Sequence, residues 1–380
     1  MKAKILHKRL RIGVDARNLT SHMTGIGRYV HELSRELIAG GHDLILYLPE
    51  KPNAQVAALN GARLRLARMP GPILRQIWGH AILPVQLRRD ALDVFWGPAH
   101  RLPPFLPADL ARVVTIHDLV WLHAPETMRT RTRLGEQVFM RQSLARADIV
   151  VADSEATGRD ISAAFPDLGR EIVTIHAGVS GRPPVGVPPP LPCGIDRPYV
   201  LFVGTLEPRK NLKRLLDAWR LLPEERRRDW LLVIAGGKGW GIDDMAGEIA
   251  ARSLDGSVRL TGFVSEDELD ALYVNAMLLA MPSLYEGFGL PIVEANARGV
   301  PALTSNLSCL PEIAGPGAIL VDPTSPASIA AGLDSVLSGQ RDWKTLSRAA
   351  RANAARFDWS TAARQLLNVF ETAIATRRAA

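Results

Sequence analysis

The chain has 380 residues, more than one hydrophobic core usually supports, so two domains of roughly 150–200 residues are the first expectation. With 47% hydrophobic and 22% charged residues it is not a disordered chain, and its longest uncharged run, Ala271–Tyr285, falls short of the roughly 20 apolar residues of a membrane span. The net charge of +7 lies in the first half, where residues 1–190 hold 25 Lys and Arg against 17 Asp and Glu while residues 191–380 hold 21 against 22. A basic half beside a neutral one fits a negatively charged partner, an anionic membrane surface or nucleic acid, and equally fits a solvated Arg-rich face. Zinc-finger spacing is absent and aromatics are sparse, so no nucleic-acid module is expected.

Met1-Lys2-Ala3-Lys4-Ile5 lacks the apolar stretch of a secretory signal, and two cysteines, Cys193 and Cys309, supply neither a disulfide framework nor a zinc site. A reducing cytoplasm is the expected compartment. A strand at Ile12–Asp15 leads through a loop to Thr24-Gly25-Ile26-Gly27-Arg28-Tyr29, which opens a helix. Gly25 and Gly27 are too few for a dinucleotide fingerprint but permit close backbone approach to a ligand. Strands follow at Arg112–Ile116 and Asp148–Ala152. His117 ends the first of them and reads either as a structural histidine or as a site residue facing a cleft. Six prolines within residues 183–192 can neither continue a helix nor donate to a strand ladder, which marks a linker at 183–198. Beyond it, strands at Tyr199–Gly204, Trp230–Ala235, Val258–Gly262, Met277–Met281 and Pro301–Thr304 alternate with helical segments. This order predicts an α/β fold of two doubly wound parallel sheets, with ligands beyond the carboxyl ends of the strands.

Two strand ends carry candidate chemistry. After Met281 the chain reads Pro282-Ser283-Leu284-Tyr285-Glu286-Gly287-Phe288-Gly289-Leu290-Pro291-Ile292-Val293-Glu294, a glycine-rich turn with Pro291 suited to a first helical turn. The amides near Gly289 and Leu290 would favour an anion such as phosphate. Glu286 and Glu294 flank that position and suit hydroxyls on both sides of a diphosphate, as in a nucleotide sugar. Their plainer reading is a solvated loop residue and a carboxylate complementing the helix dipole. In Val203-Gly204-Thr205-Leu206-Glu207-Pro208-Arg209-Lys210-Asn211-Leu212, Arg209 and Lys210 stand where a helix begins and read as phosphate clamps, or as partners of Glu207. Gly236-Gly237-Lys238-Gly239-Trp240-Gly241 lacks the spacing of a Walker loop and reads as a flexible loop. No Asp-x-Asp pair ends a strand, Asp243 and Asp244 read as caps, and no metal is expected.

Glu286 and Glu294, within Glu-Gly-Phe-Gly-Leu-Pro-Ile-Val-Glu, resemble the paired-glutamate motif of the retaining GT-B glycosyltransferases of family four. Gly25–Tyr29, Thr115–Asp118, Ala152–Ser154, Phe202–Asn211, Leu310–Glu312 and Phe357–Trp359 follow the same pattern in order, so the resemblance spans nearly the whole chain. The resemblance implies a GT-B fold of two Rossmann-like domains facing across a cleft: an acceptor domain at 1–182, a nucleotide-sugar domain at 199–358, and a last helix in 359–380 crossing back to the first. It implies that His117, Arg209, Lys210 and Glu286 act on the transferred sugar and leaving diphosphate. The donor would further meet Gly25, Gly27, Gly204, Thr205, Val264, Gly287, Phe288, Gly289, Leu290 and Glu294, with the base near Gly262–Val264 and no metal. His176-Ala177-Gly178 departs from the Asn-Gly found at this place in many relatives. The donor so implied is GDP-mannose, with a UDP-sugar as the alternative, and the acceptor is a polysaccharide or lipid-linked saccharide. Within Ile73–Arg89, Trp78 and apolar residues with Arg75, Arg88 and Arg89 suit either an ordinary helix or a peripheral contact with an anionic membrane at the inner face of the cell. Arg129, Arg131 and Arg133 suit the same contact or an acceptor diphosphate. A sugar-nucleotide epimerase and a non-catalytic nucleotide-binding protein are the competing readings.

Overall fold

A computed structural model describes residues 9–20, 24–53, 59–179, 190–192, 194–241 and 244–379, the Arg131 side chain excepted. Most of the proline-rich linker, Met1–Ile5, Cys193 and Asp243 lie outside the described residues. The chain divides into two units. The first comprises Met1–His117, Arg131–Gly178 and Trp359–Ala380; the second comprises Asp118–Thr130 and Val179–Asp358.

The first unit is built on a seven-stranded sheet, all parallel, in the order β3-β2-β1-β4-β5-β6-β7. Its strands are β1 Arg11–Asp15, β2 Asp43–Leu48, β3 Arg63–Leu66, β4 Val94–Gly97, β5 Ala111–Ile116, β6 Ile149–Ala152 and β7 Glu171–Thr174. The central strands are largely apolar runs buried on both faces, as helices above and below a parallel sheet require. β3, Arg-Leu-Arg-Leu, is exposed throughout and closes one edge. The last helix, Trp359–Ala379, belongs to this unit: Phe370 is fully buried against the Trp96 ring at 6.1 Å, and Arg377 pairs with Asp148 at 2.6 Å. Gly178 lets the chain pass this helix, because a Cβ there would lie 2.3 Å from the Trp359 nitrogen.

The second unit carries a six-stranded parallel sheet in the order β10-β9-β8-β11-β12-β13. Its strands are β8 Tyr199–Val203, β9 Leu231–Ala235, β10 Val258–Gly262, β11 Leu278–Met281, β12 Ala302–Ser305 and β13 Ile319–Val321. The core on one face joins Val200, Phe202, Leu232 and Ile234 to Leu215, Leu216 and Trp219 of the helix Leu212–Leu221. Asp118–Thr130 groups here although the sequence division assigns it to the first domain. Tyr285 is the reason: its hydroxyl accepts from the Leu119 amide at 3.2 Å, its ring stacks on His123 at 5.0 Å, and it packs against Val120 and Ala124. These are long-range contacts that no local pattern announces.

Candidate active site

In each sheet the strand order reverses at one place, and ligands of open α/β sheets bind beyond the carboxyl ends of the strands there. In the second unit the reversal lies between β8 and β11. Arg209 and Lys210 follow β8, and Glu286 follows β11. The chain leaving β8 forms a short 3-10 turn, Pro208–Lys210, before the helix Leu212–Leu221, so the two cations precede that helix rather than begin it. Asn211 makes this turn possible. It takes φ 62°, and its amide donates to the Pro282 carbonyl at 2.9 Å and to that of Pro323 at 2.7 Å, tying the turn to the end of β11 and the loop after β13.

Glu286 is the hub. One of its carboxylate oxygens accepts from Arg209 Nη1 and the other from Lys210 Nζ, both at 2.5 Å, and Glu286 is only 6% exposed. It is therefore not a solvated loop residue. Burial alone would raise its pKa, but Arg209 and Lys210 outweigh that and hold it down at about 2. Burial pulls the Lys210 ammonium below its usual value against the opposing pull of Glu286. For Arg209, burial is overcome by Glu286, with Asp118 and Glu207 adding to it, so the guanidinium is more firmly protonated than usual. Arg209 also meets Glu207 at 3.1 Å, so the plainer ion pair coexists with the buried one.

The loop after β11 is held from behind. The Glu286 carbonyl accepts from the Ser308 hydroxyl and the Cys309 thiol, and that thiol also lies 3.2 Å from the Phe288 carbonyl. Phe288 is buried edge-on against Phe357. Gly289, at φ 97°, caps the helix Leu290–Ala297, a backbone conformation that suits glycine. Pro291 occupies its first turn as the sequence requires. Glu294, half-buried one turn in, accepts from the Tyr273 hydroxyl at 2.8 Å. Gly204 and Thr205 lie on the loop after β8, and Val264 follows β10 beside the exposed Phe263 ring. The Gly236–Gly241 loop is joined to the loop after β8 through the Leu206 amide and the Gly237 carbonyl at 3.1 Å.

His117, Gly25 and Gly27 belong to the first unit. His117 is 6% exposed. Its Nδ1 meets the Asp153 carboxylate, its Nε2 donates to the Pro98 carbonyl at 2.6 Å, and its ring lies edge-on to Tyr29 at 5.0 Å. Because the carbonyl can only accept, Nε2 carries a proton. Thr24 caps the helix Gly25–Ala39, its hydroxyl accepting from the Gly27 amide at 3.2 Å. Sequence reasoning found the strand-end charges but missed Asn211, Asp153 and Tyr285 as the residues that position them. An Asn directly after two cations was the available signal for the first. Among the described residues, no group of three or more His, Cys, Asp and Glu could hold a metal ion.

The profile of Glycosyl transferases group 1 matches residues 193–356, and that of Glycosyltransferase Family 4 matches residues 23–182. The chain is 32% identical to an O-antigen chain mannosyltransferase B of Escherichia coli, over 92% of this chain and 96% of that one. It is 25% identical to an MMP alpha-(1->4)-mannosyltransferase of Mycolicibacterium hassiacum, over 96% and 99%. A solved sucrose-phosphate synthase of Thermosynechococcus elongatus shares the fold with a TM-score of 0.76, at 19% identity, over 97% of this chain and 100% of that one.

Proposed function

The chain belongs to the group 1 glycosyltransferases of GT-B fold, and from that membership we propose that it moves mannose from GDP-mannose, with retention and without a metal, to a polysaccharide or lipid-linked saccharide. The observation that carries the donor site is the pairing of both Glu286 oxygens with Arg209 and Lys210 at the strand reversal of the second unit. Mannose is favoured by the likeness to two mannosyltransferases that cover nearly the whole chain.

In this reading the diphosphate takes over Arg209 and Lys210, joined by the Phe288, Gly289 and Leu290 amides at the helix terminus. The exchange frees both Glu286 oxygens to accept from sugar hydroxyls, so the buried pair is a store of oriented charge. As the bond to the anomeric carbon breaks, negative charge grows on the leaving phosphate, where these cations are already placed. Glu294 accepts from the ribose, Val264 borders the base, and Gly204, Thr205 and Gly287 allow close backbone approach. His117 serves the sugar by exchanging the Pro98 carbonyl for a hydroxyl, with Asp153 holding the ring. Arg209 and Lys210 supply the charge that a metal provides in other transferases.

Membrane contact is assigned to the segment Pro72–Leu87, where Ile73 is 76% exposed beside Ile77 and Val85, with Arg88 and Arg89 following. It would place the enzyme at the inner face of the cell membrane. Thermal unfolding with GDP, UDP, ADP and NAD tests the donor site, since a ligand at 100 times its Kd adds about 2.7 kcal/mol. A shift selective for GDP and lost in Glu294→Ala supports the reading. A shift with UDP alone moves the donor to a UDP-sugar, and a shift with NAD alone, or with none, overturns the site.

A further inference from the structure

In the second unit the helices Glu266–Asn275 and Leu290–Ala297 meet through paired side chains. Asp270 and Tyr273 stand three residues apart on one face of the first helix, and Glu294 and Arg298 stand four apart at the end of the second. Arg298 Nε donates to Asp270 at 2.7 Å and Nη1 donates to the Glu294 carbonyl at 2.8 Å, while the guanidinium lies over the Tyr273 ring at 5.2 Å. Tyr273 is 1% exposed, and its hydroxyl donates to Glu294 Oε2 at 2.8 Å. Packing asks only for a ring at this place. The hydroxyl adds a donor aimed at one carboxylate oxygen.

That donor decides how Glu294 faces its surroundings. The last torsion of a glutamate is broad, so an unguided carboxylate plane turns at little cost. A tyrosine hydroxyl has a single proton to donate, and the ring that carries this one is fixed by burial and by the Arg298 guanidinium. The bond therefore sets the rotation of the Glu294 carboxylate. Both oxygens of a carboxylate can accept from the two hydroxyls of a cis-diol, provided the plane is turned to meet them. A carboxylate ordered beforehand does not have to be ordered by the ligand, which strengthens binding.

We propose that Tyr273 is a positioning residue that makes the donor site selective for a ribonucleotide: by holding Glu294 Oε2 it turns the carboxylate to receive the 2′ and 3′ hydroxyls together. The inference rests on the ribose role given above to Glu294. Tyr273 acts through that carboxylate and not on the reacting atoms.

The test is calorimetric titration of the full chain with GDP and 2′,3′-dideoxy-GDP, and with the matching uridine pair, since ribose is common to both candidate donors. Tyr273→Phe keeps the ring and removes the hydroxyl. It is expected to weaken the ribonucleotide by roughly tenfold, the loss of one hydrogen bond to a charged group, and to change the dideoxynucleotide by less than about twofold. Tyr199→Phe is the control, because the Tyr199 hydroxyl donates to the Leu272 carbonyl at 2.7 Å, next to Tyr273 on the same helix. Its loss loosens that helix without removing a donor to Glu294, so the wild-type ratio of the two affinities is expected to survive. Equal weakening of both nucleotides by Tyr273→Phe, or an equal fall of the ratio in Tyr199→Phe, overturns the proposal. A wild type that discriminates while Tyr273→Phe discriminates equally well overturns it alone and leaves the ribose role of Glu294 standing. A wild type that binds the ribose and dideoxyribose forms alike, or binds neither, overturns that role and the proposal with it.

Discussion

Replacing Glu286 by glutamine keeps the side chain's shape and removes the charge shared by Arg209 and Lys210. The folded-state pKa of about 2 lies below the ordinary glutamate value of about 4.3, so the carboxylate contributes about 3 kcal/mol at pH 7. The cost of leaving buried cations without their partner, about 3–5 kcal/mol, agrees. A depressed folded pKa gives stability that is complete above the unfolded value and lost as pH falls through the folded one. The difference between wild type and Glu286→Gln is thus expected to be full at pH 7, about half at pH 3 and nearly gone at pH 2. Urea unfolding read by hydrogen exchange on β8 and β9 peptides measures it, with β5 peptides of the first unit as an internal control. A difference independent of pH, or one of equal size in β5, would refute the reasoning.

Asn211→Ala should destabilise the second unit by about 2 kcal/mol, because two buried carbonyls lose their donor and Ala tolerates the left-handed φ of 62° less well than Asn does. Asn211→Gly should recover only the backbone share, which the same urea experiment resolves. Phe370→Ala removes a fully buried ring from the last helix and should cost about 3–5 kcal/mol in β4 and β5 peptides while β8 and β9 keep their protection. Equal loss in both units would show that this helix is not part of the first core alone.

The strands were legible because most are short apolar or β-branched runs set between helical segments, and the named strands lie within a residue of their expected bounds. Arg209 and Lys210 were legible as cations at a strand end, and Glu286 and Glu294 as carboxylates around a helix terminus. Their joining was not, because Glu286 stands 76 residues from Lys210 and the ion pair depends on which strands become neighbours. The same holds for Asp153, 36 residues from His117. β3 hid for another reason: its Arg-Leu alternation is an exposed edge, with no buried face to reveal it. β13, three residues long, is too short to carry a pattern.

The central claim is that Arg209 and Lys210 receive the diphosphate of a mannose donor. Release of nucleoside diphosphate from GDP-mannose and from UDP-glucose, in the presence of a soluble mannoside acceptor, tests it most directly in wild type and in Lys210→Met, where Glu286 keeps Arg209 as a partner. The account predicts GDP release coupled to a lengthened glycan, no release of UDP, and loss of at least a hundredfold in kcat in the variant, roughly the value of one transition-state donor. Unchanged turnover in Lys210→Met, or conversion of the sugar nucleotide without release of GDP, would contradict it.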